Sequence, residues 1–250
     1  MLAVISPAKT LDYARPVPPL PATNPDFRDD AARIAKAAAR LSKKKLSGLM
    51  HISDKLAALN VERFRTFDVL PERQAIYAFA GDVYAGFEVH SLDAEAITFA
   101  QDHLRILSGL YGLLRPLDAI RPYRLEMGTR WAPARGNLYG FWQDRIAAAL
   151  CRALDQGGGP IVNLASKEYW AAVDGKLPSD VRVIEIDFRE DGPNGPRFNT
   201  FAAKRARGMM ARYICEHRLT DAESLKNFDS DGYRFDAEGS DADRWRFTRR

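Results

Sequence analysis

The chain begins with Met1-Leu2-Ala3-Val4-Ile5-Ser6-Pro7-Ala8-Lys9-Thr10, an apolar run that ends in a short polar turn. A second run, Ile161–Ala165, leads in the same way into Ser166-Lys167-Glu168-Tyr169. Short apolar runs bounded by turns are typical of strands buried in a parallel sheet. Two further segments share this pattern: Gln74–Phe79 before Ala80–Tyr84, and Leu104–Leu107 before Ser108–Gly112.

These runs alternate with segments of helical spacing, and together they predict an α/β (mixed α+β) fold. We expect a single domain over residues 1–250, with a central, partly parallel sheet and surrounding helices. Ligands of open α/β sheets bind at the carboxyl ends of the strands, so the four turns should line one cleft. The side chains expected in this cleft are Ser6, Lys9, Thr10, Tyr84, Asn163, Ser166 and Tyr169.

A lysine, several hydroxyls and backbone N–H groups near helix starts suit a phosphate or another small anion. Each residue also has a structural explanation. Lys9 fits a lysine that extends from a strand turn into solvent, and Ser166 fits the N-cap of a following helix. Asn163 lies in an apolar strand and needs a partner, which either the fold or a ligand can supply.

The composition excludes several classes of protein. The 250 residues are 46% hydrophobic and 28% charged, which is ordinary for a globular domain. The sequence has no apolar run of about 18 residues and no secretion signal, so we expect no membrane partner. Cys151 and Cys215 have no motif spacing, which favours buried thiols in a reducing cytoplasm over a redox pair. The four histidines are scattered, so we expect neither a metal site nor a cofactor.

The net charge of +4 is unevenly distributed along the chain. Acidic residues concentrate after Leu219, so the body of the protein is more basic than the total suggests. A basic body is compatible with a polyanionic partner, although any one cluster also fits a solvated helix face. The basic residues expected to contact DNA are Lys43, Lys44, Lys45, Lys55, Arg63, Lys204, Arg205 and Arg207.

Residues 42–60 predict two short helices around a tight turn, with Ser42 and Ser53 as N-caps. This arrangement resembles a helix-hairpin-helix, in which the turn and the second helix offer backbone N–H groups to a DNA phosphate. We therefore add His51 and Ser53 to the expected DNA-binding residues. The turn lacks the glycines that such hairpins usually carry, and a plain helical hairpin packed on the core is the alternative.

The segment Ala202–His217 predicts a long helix that opens with Lys204, Arg205 and Arg207. Cations in a first turn oppose the helix dipole, which indicates a bound anion. Gly208 inside this helix indicates close packing or a close backbone approach. Before this helix, Val181–Phe188 predicts a strand, with Arg197–Phe201 pairing back on it as a hairpin. No regular element is predicted in the polar segment that follows Leu219.

The whole chain resembles the bacterial YaaA family of peroxide-stress proteins. The resemblance rests on motifs in family order: Ile5–Tyr13, Ile52–Ala57, Gly81–Tyr84, Leu107–Gly112, Leu114–Asp118, Pro122–Gly128, Asn163–Ser166, Lys204–Gly208 and Asp231–Tyr233. It implies a cytosolic protein that limits damage to DNA and protein by restraining free iron. It also implies a single-domain α/β fold with a helix-hairpin-helix, a positive cleft and DNA as ligand. No catalytic residue follows from it.

Three hypotheses remain open. The first is a peroxide-stress protein that binds DNA through the hairpin and basic cleft and limits iron-dependent damage. Its binding would be largely independent of sequence, and either non-specific or selective for a DNA structure. The second is an enzyme that acts on a nucleotide, a nucleobase or another phosphorylated small molecule in a cleft lined by Lys9, Asn163 and Arg207. The third is a structural or interaction protein whose partner is another protein. The sequence shows no large exposed apolar stripe that would support it.

Overall fold

The first apolar run forms the centre of the main sheet. The computed structural model describes residues 1–133, 136–155, 158–193 and 195–249. In chain order the strands are β1 (Leu2–Ile5), β2 (Thr10–Leu11), β3 (Arg73–Gln74), β4 (Phe79–Ala80), β5 (Leu104–Ser108), β6 (Gly112–Leu114), β7 (Ala119–Ile120), β8 (Ile161–Leu164), β9 (Val183–Glu190), β10 (Arg234–Asp236) and β11 (Arg244–Arg249).

Seven strands form one sheet in the order β10-β11-β9-β8-β1-β5-β6. The five inner strands are parallel, and β10 and β6 close the two edges in antiparallel pairing. Strands β1, β5 and β8 are buried along their whole length, as expected where helices cover both faces. The described chain is therefore one mixed α/β domain with a mostly parallel central sheet, which confirms the predicted class.

The order of the strands fixes where a ligand cleft can form. After β1, the next strand of the main sheet along the chain is β5, which pairs with β1 on one side. After β8, the next strand is β9, which pairs with β8 on the opposite side. The chain therefore leaves the carboxyl ends of β1 and β8 in opposite directions. Such a switch point opens a crevice between the two strands, and ligands of open α/β sheets bind there.

The described residues form ten α-helices. They are α1 (Arg28–Ala38), α2 (Lys43–Met50), α3 (Asp54–Arg65), α4 (Ala75–Ala78), α5 (Asp82–Phe87), α6 (Ala94–His103), α7 (Leu138–Trp142), α8 (Arg145–Asp155), α9 (Lys167–Trp170) and α10 (Thr200–Glu216). Helix α10 packs against β1, β8, β9 and helix α5, and so lies beside the crevice. No helix in the described ranges is both long and apolar enough to cross a membrane.

Helices α5 and α10 approach each other unusually closely at two glycines. A Cβ atom placed on Gly208 would lie 1.8 Å from the carbonyl oxygen of Val83. A Cβ atom on Gly86 would lie 2.1 Å from the carbonyl oxygen of Arg205. Only glycine fits at these contacts, which confirms the close packing predicted for Gly208 and fixes α10 against the turn that starts α5.

The predicted strand Gln74–Phe79 is wrong. Residues Ala75–Ala78 form the short helix α4, and only Phe79–Ala80 continues as strand β4. A short, fully buried apolar run has no readable period, and its alanines favour a helix. Strand β4 pairs with β2 outside the main sheet, with Thr10 opposite Ala80, and this pairing still brings the turn after Ala80 beside the turn after β1.

Two expectations about the C-terminal third also need correction. Residues Arg197–Phe201 do not form a hairpin strand, because only an isolated bridge joins Arg197 to Glu190 before α10 starts at Thr200. The polar tail contributes two strands to the main sheet. Strand β11 pairs in parallel with β9 and buries Trp245 and Phe247, so two aromatic residues anchor a segment whose other residues are polar.

Candidate anion-binding cleft

A cavity of about 540 Å³ lies at the carboxyl ends of β1 and β8. It is lined by the turn Ser6–Thr10, the turn Gly81–Val83, the turn Ser166–Tyr169 and the α10 residues Lys204 and Arg207. We name this cavity the strand-end cleft. Three of the four turns predicted to converge do so here, at the switch point of the sheet.

Ser6 and Ser166 hold the two strand ends together. The backbone N–H of Ser166 donates to Ser6 Oγ at 2.9 Å, and the Ser6 hydroxyl donates to Ser166 Oγ at 3.3 Å. Ser166 occupies the N-cap position of α9, but its side chain accepts no capping hydrogen bond. The Tyr84 hydroxyl donates to the carbonyl oxygen of Ser6 at 3.2 Å. These bonds fix the floor of the cleft.

The two tyrosines predicted for the cleft are buried. Burial raises the pKa of Tyr84 and of Tyr169 well above the usual value, so both phenols stay neutral. Tyr169 forms part of the cleft wall, whereas Tyr84 lines a different cavity that shares Ala80, Gly81 and Asp82 with the cleft. Thr10 is exposed in β2 and lines the cleft as predicted.

Cations dominate the lining of the strand-end cleft. It contains the cationic residues Lys9, Lys167, Lys204 and Arg207 and the acidic residues Asp82 and Glu168. The Lys204 ammonium lies 4.0 Å from the Asp82 carboxylate, and Glu168 accepts from the backbone N–H of Gly128 at 3.0 Å. Both carboxylates therefore have partners, and the excess of positive charge favours an anion.

Arg207 retains unused hydrogen-bonding capacity. Its Nε atom is buried and has no hydrogen-bond partner among the described residues. Burial lowers the pKa of Arg207, and the carboxylates of Asp187 and Glu185 act in the opposite direction. An arginine stays protonated in proteins, so Arg207 offers the cleft a charged planar donor suited to a phosphate or carboxylate.

A second cavity of about 500 Å³, which we name the β9 cavity, adjoins the strand-end cleft. The two share Ser166, Lys167, Lys204 and Arg207. Asn163 lines the β9 cavity and not the strand-end cleft, and its Oδ1 atom accepts from the N–H of Ala165 at 2.9 Å. Lys9 and Asn163 are therefore in neighbouring spaces that Arg207 joins, and the fold itself supplies a partner for Asn163.

The fourth turn does not reach the cleft. Ser108 is fully buried, with its hydroxyl 2.6 Å from the Tyr123 hydroxyl and accepting from the N–H of Tyr111. The backbone of Leu125 lies over this turn, since a Cβ on Gly109 would be 2.3 Å from the Leu125 carbonyl oxygen. The fourth turn is thus covered by the segment that carries Glu126 to Lys9.

Glu126 was not predicted from the sequence as a site residue. Its Oε1 atom lies 3.5 Å from Lys9 Nζ and accepts from Arg124 Nε at 3.0 Å. Its Oε2 atom is buried and has no partner among the described residues. No spacing rule joins residues 9 and 126, and the only sequence signal was that both lie in motifs of the family resemblance. Lys167 was likewise missed as a member of the cleft.

The predicted helical hairpin is present as a pair of packed helices. Ser42 Oγ accepts from the N–H of Lys45 and Ser53 Oγ from the N–H of Leu56, which confirms both N-caps. His51 adopts a left-handed conformation with φ 50°, so the turn forms without glycine. Ile52 is buried between the helices, and Ser47 Oγ donates to its carbonyl oxygen at 2.7 Å.

The expected DNA-binding residues fall into two groups. One comprises the hairpin residues Lys43, Lys44, Lys45, His51, Ser53 and Lys55, all exposed. Lys43 pairs with Asp54 at 3.0 Å, and no carboxylate in the described ranges pairs with Lys44, Lys45 or Lys55. Arg63 does not share their exposure, since it is half-buried near Tyr13 and burial lowers its pKa.

The other group is on α10, where one prediction needs correction. The helix starts at Thr200 with Asn199 as N-cap, so Lys204, Arg205 and Arg207 lie beyond its first turn. The prediction that these cations oppose the helix dipole in the first turn is therefore wrong. Lys204 and Arg207 still line the strand-end cleft, while Arg205 is exposed outside it.

Fold and site together define a class of protein: an α/β domain with a cationic cleft at the switch point of a parallel sheet. Within the described part of the chain, no group of three or more histidine, cysteine and carboxylate side chains is arranged so that it could hold a metal ion. A family model described as peroxide stress protein YaaA matches residues 1–239. The chain belongs to this family.

Several curated proteins are similar over all or most of the chain. A UPF0246 protein of Rhizorhabdus wittichii is 62% identical over 251 residues, covering 100% of this chain and 99% of the relative. A UPF0246 protein of Caulobacter vibrioides is 50% identical over 253 residues, with the same coverage. One from Jannaschia sp. is 53% identical over 239 residues, covering 93% of this chain and 91% of the relative. The family, whose description names peroxide stress, is consistent with a role in that response.

Proposed function

We propose that this protein is a cytoplasmic DNA-binding protein of the peroxide-stress response that limits iron-dependent oxidative damage. The observation that carries the proposal is the strand-end cleft, where Lys9, Lys167, Lys204 and Arg207 meet at the switch point of the sheet. Lysines attract phosphate as point charges, and arginine adds a bidentate fork. Binding of this kind is led by phosphates and is largely independent of base sequence.

The basic hairpin supplies a second set of phosphate contacts. The N-terminus of α3 presents backbone N–H groups at Ser53–Asp54, and the exposed Lys44, Lys45 and Lys55 have no ion-pair partners in the described ranges. In a helix-hairpin-helix such N–H groups hold a phosphate without reading the bases. We therefore propose that α2, the turn at His51 and α3 act as a helix-hairpin-helix despite the missing glycines.

Phosphate binding offers a physical route to protection from iron. A protein cation that occupies a DNA phosphate releases the counterions condensed there. Ferrous ions bound to the backbone are among the counterions that would be displaced, so less hydroxyl radical would form beside the DNA. On this account the effect on iron-dependent damage follows from DNA occupancy and needs no iron site in the protein.

Fluorescence anisotropy with a labelled duplex tests this proposal. The triple charge reversal Lys44→Glu, Lys45→Glu and Lys55→Glu should weaken binding at least tenfold, and Lys204→Glu should weaken it as well. Lys36→Glu is a matched control, because Lys36 is an exposed lysine on α1 outside both surfaces. No binding by the wild-type protein at low salt would overturn the proposal, and equal effects of all variants would overturn the assigned surfaces.

A second candidate function rests on the contact between Lys9 and Glu126. The ammonium lies 3.5 Å from a carboxylate whose other oxygen is buried and unpartnered among the described residues. Phosphate-led DNA binding does not need such a pair, whereas an enzyme acting on a nucleotide, a nucleobase or another phosphorylated small molecule would use it for proton transfer beside Arg207. Loss of peroxide protection in Lys9→Ala with unchanged DNA affinity would favour the enzyme; wild-type behaviour in both assays would exclude it.

A further inference from the structure

Two phenylalanine rings are exposed on the segment that borders the β9 cavity, from which Phe198, Thr200 and Lys204 line it. Phe198 is 50% exposed and lines this cavity, and Phe201 is 73% exposed in the first turn of α10. A single exposed apolar side chain needs no explanation, whereas two exposed aromatic rings three residues apart on one segment point to a binding site. Among the described residues the other exposed large hydrophobic side chains, Leu56, Leu59 and Val69, are aliphatic.

The surroundings of these rings are cationic. The Arg189 guanidinium lies 5.4 Å from the centre of the Phe198 ring, and Lys204 Nζ lies 5.9 Å from the centre of the Phe201 ring. The β9 cavity is lined by the cations Lys167, Arg189, Lys204, Arg207 and Arg244 and by the acids Glu185 and Asp187. Asp187 is already paired with Arg189 and Arg244. Apolar ring faces thus stand beside a surface that attracts phosphates.

The backbone that carries the rings is held in place. Asn199, between the two phenylalanines, accepts from the N–H of Phe201 at 3.1 Å and donates to Glu190 Oε2 at 2.8 Å. Glu190 is also bound by Arg249 at 2.6 Å, and its backbone exchanges two hydrogen bonds with Arg197. The rings are therefore exposed on a preorganised support, which lowers the entropy that a partner must offset on binding.

We propose that Phe198 and Phe201 form a stacking platform for unpaired DNA bases, next to the cations that hold the adjoining phosphates. This inference rests on the proposed DNA binding and deepens it, since it makes unpaired nucleotides the preferred part of the ligand. Aromatic side chains beside a basic groove are the usual means of holding single strands, because every base has a flat face. In an intact duplex those faces are covered by neighbouring base pairs, so the rings favour single-stranded, gapped or bubble DNA.

Anisotropy with the full-length protein tests the platform, using labelled dT20, a matched duplex and a duplex with a central unpaired bubble. We expect wild-type protein to prefer dT20 and the bubble over the duplex. Removing a stacked ring lowers affinity by about five- to a hundredfold per base. The double variant Phe198→Ala, Phe201→Ala should therefore lose at least tenfold on dT20 and less than twofold on the duplex.

Two further variants separate stacking from other effects. Phe198→Leu with Phe201→Leu keeps an apolar surface without an aromatic face and should remain defective on dT20. Val69→Ala is the control for loss of an exposed apolar side chain, because Val69 is 83% exposed and lines neither cavity. Circular dichroism checks that each variant is folded.

The outcomes distinguish this inference from the proposed function. The platform is overturned if the double alanine variant binds dT20 like wild type. If duplex binding also persists, the proposed DNA binding stands, and the rings are then available to a protein partner. Equal losses on all three DNAs would also overturn it. No binding of any DNA by wild-type protein would overturn both.

Discussion

The Ser6 hydroxyl donates to the Ser166 hydroxyl across 160 positions of sequence, and Ser6 Oγ also accepts the Ser166 N–H. This contact joins the carboxyl ends of two neighbouring parallel strands. The chain diverges from these ends in opposite directions, so the serines mark the floor of the crevice that the fold opens there. Lys9, Lys167, Lys204 and Arg207 line the same cleft as the two serines.

Replacing Ser6 should destabilise the fold more than replacing Ser166. Ser6→Ala leaves the part-buried Ser166 N–H without an acceptor, which should lower the free energy of unfolding by about 1–3 kcal/mol. Ser166→Ala removes only the bond between hydroxyls and should cost about 1 kcal/mol or less. Urea unfolding followed by circular dichroism measures both values. Equal effects would show that the backbone contact does not hold the junction.

The glycine contact between α5 and α10 predicts a severe defect. Gly208→Ala would place a methyl group 1.8 Å from the Val83 carbonyl oxygen, and backbone on both sides resists movement. We expect Gly208→Ala to lower the free energy of unfolding by about 4 kcal/mol or to prevent folding. Gly48→Ala is the matched control, because it meets nothing within 4 Å inside helix α2 and should stabilise the protein by up to about 1 kcal/mol. A mild Gly208→Ala variant would contradict the close approach of the two helices.

The C-terminal strand predicts an asymmetry between two phenylalanines. Phe247 in β11 is fully buried, so Phe247→Ala should lower the free energy of unfolding by about 3–5 kcal/mol. Phe201 is 73% exposed, so Phe201→Ala should change the free energy of unfolding by less than about 0.5 kcal/mol. Thermal unfolding of the two variants compares them directly. Similar stability of both variants would argue against the insertion of β11 into the sheet.

Cys215 should be unreactive in the folded protein. Burial raises its pKa to about 12, so almost no thiolate is present at neutral pH, and the sulfur is shielded as well. In the Cys151→Ser variant, labelling by a thiol reagent should be slower than for a free cysteine by at least about a hundredfold at pH 8. Unfolding in urea should restore the normal rate. Rapid native labelling would exclude the inert, structural role for this thiol.

The sequence was informative where local chemistry decides the structure. Buried parallel strands, the caps at Ser42 and Ser53 and the turn at Ser6 could be predicted because a few neighbouring residues determine them. Residues Ala75–Ala78 could not be assigned, since an apolar run buried on all sides has no period. Strand β11 was missed because only Trp245 and Phe247 reveal it in a polar segment.

The site was predictable to the same limited extent. Topology brings together strand-end turns, so Ser6, Lys9 and Ser166 could be grouped from the sequence alone. Glu126 could not, because its place beside Lys9 depends on the backbone of Leu125 lying against Gly109. Arg207 was expected to bind an anion for the wrong reason. It lies beyond the first turn of α10, and it lines the cleft because α10 packs beside the strand ends.

The most direct test of the central claim is the salt dependence of DNA binding. The slope of log Kobs against log salt counts phosphate contacts, at about 0.9 per contact on duplex DNA. We expect a steep negative slope for wild-type protein, reduced in magnitude by about 1 in Lys9→Gln and again in Lys204→Gln, with no change in Lys36→Gln. A slope near zero, or one that the cleft variants leave unchanged, would contradict phosphate binding in the strand-end cleft.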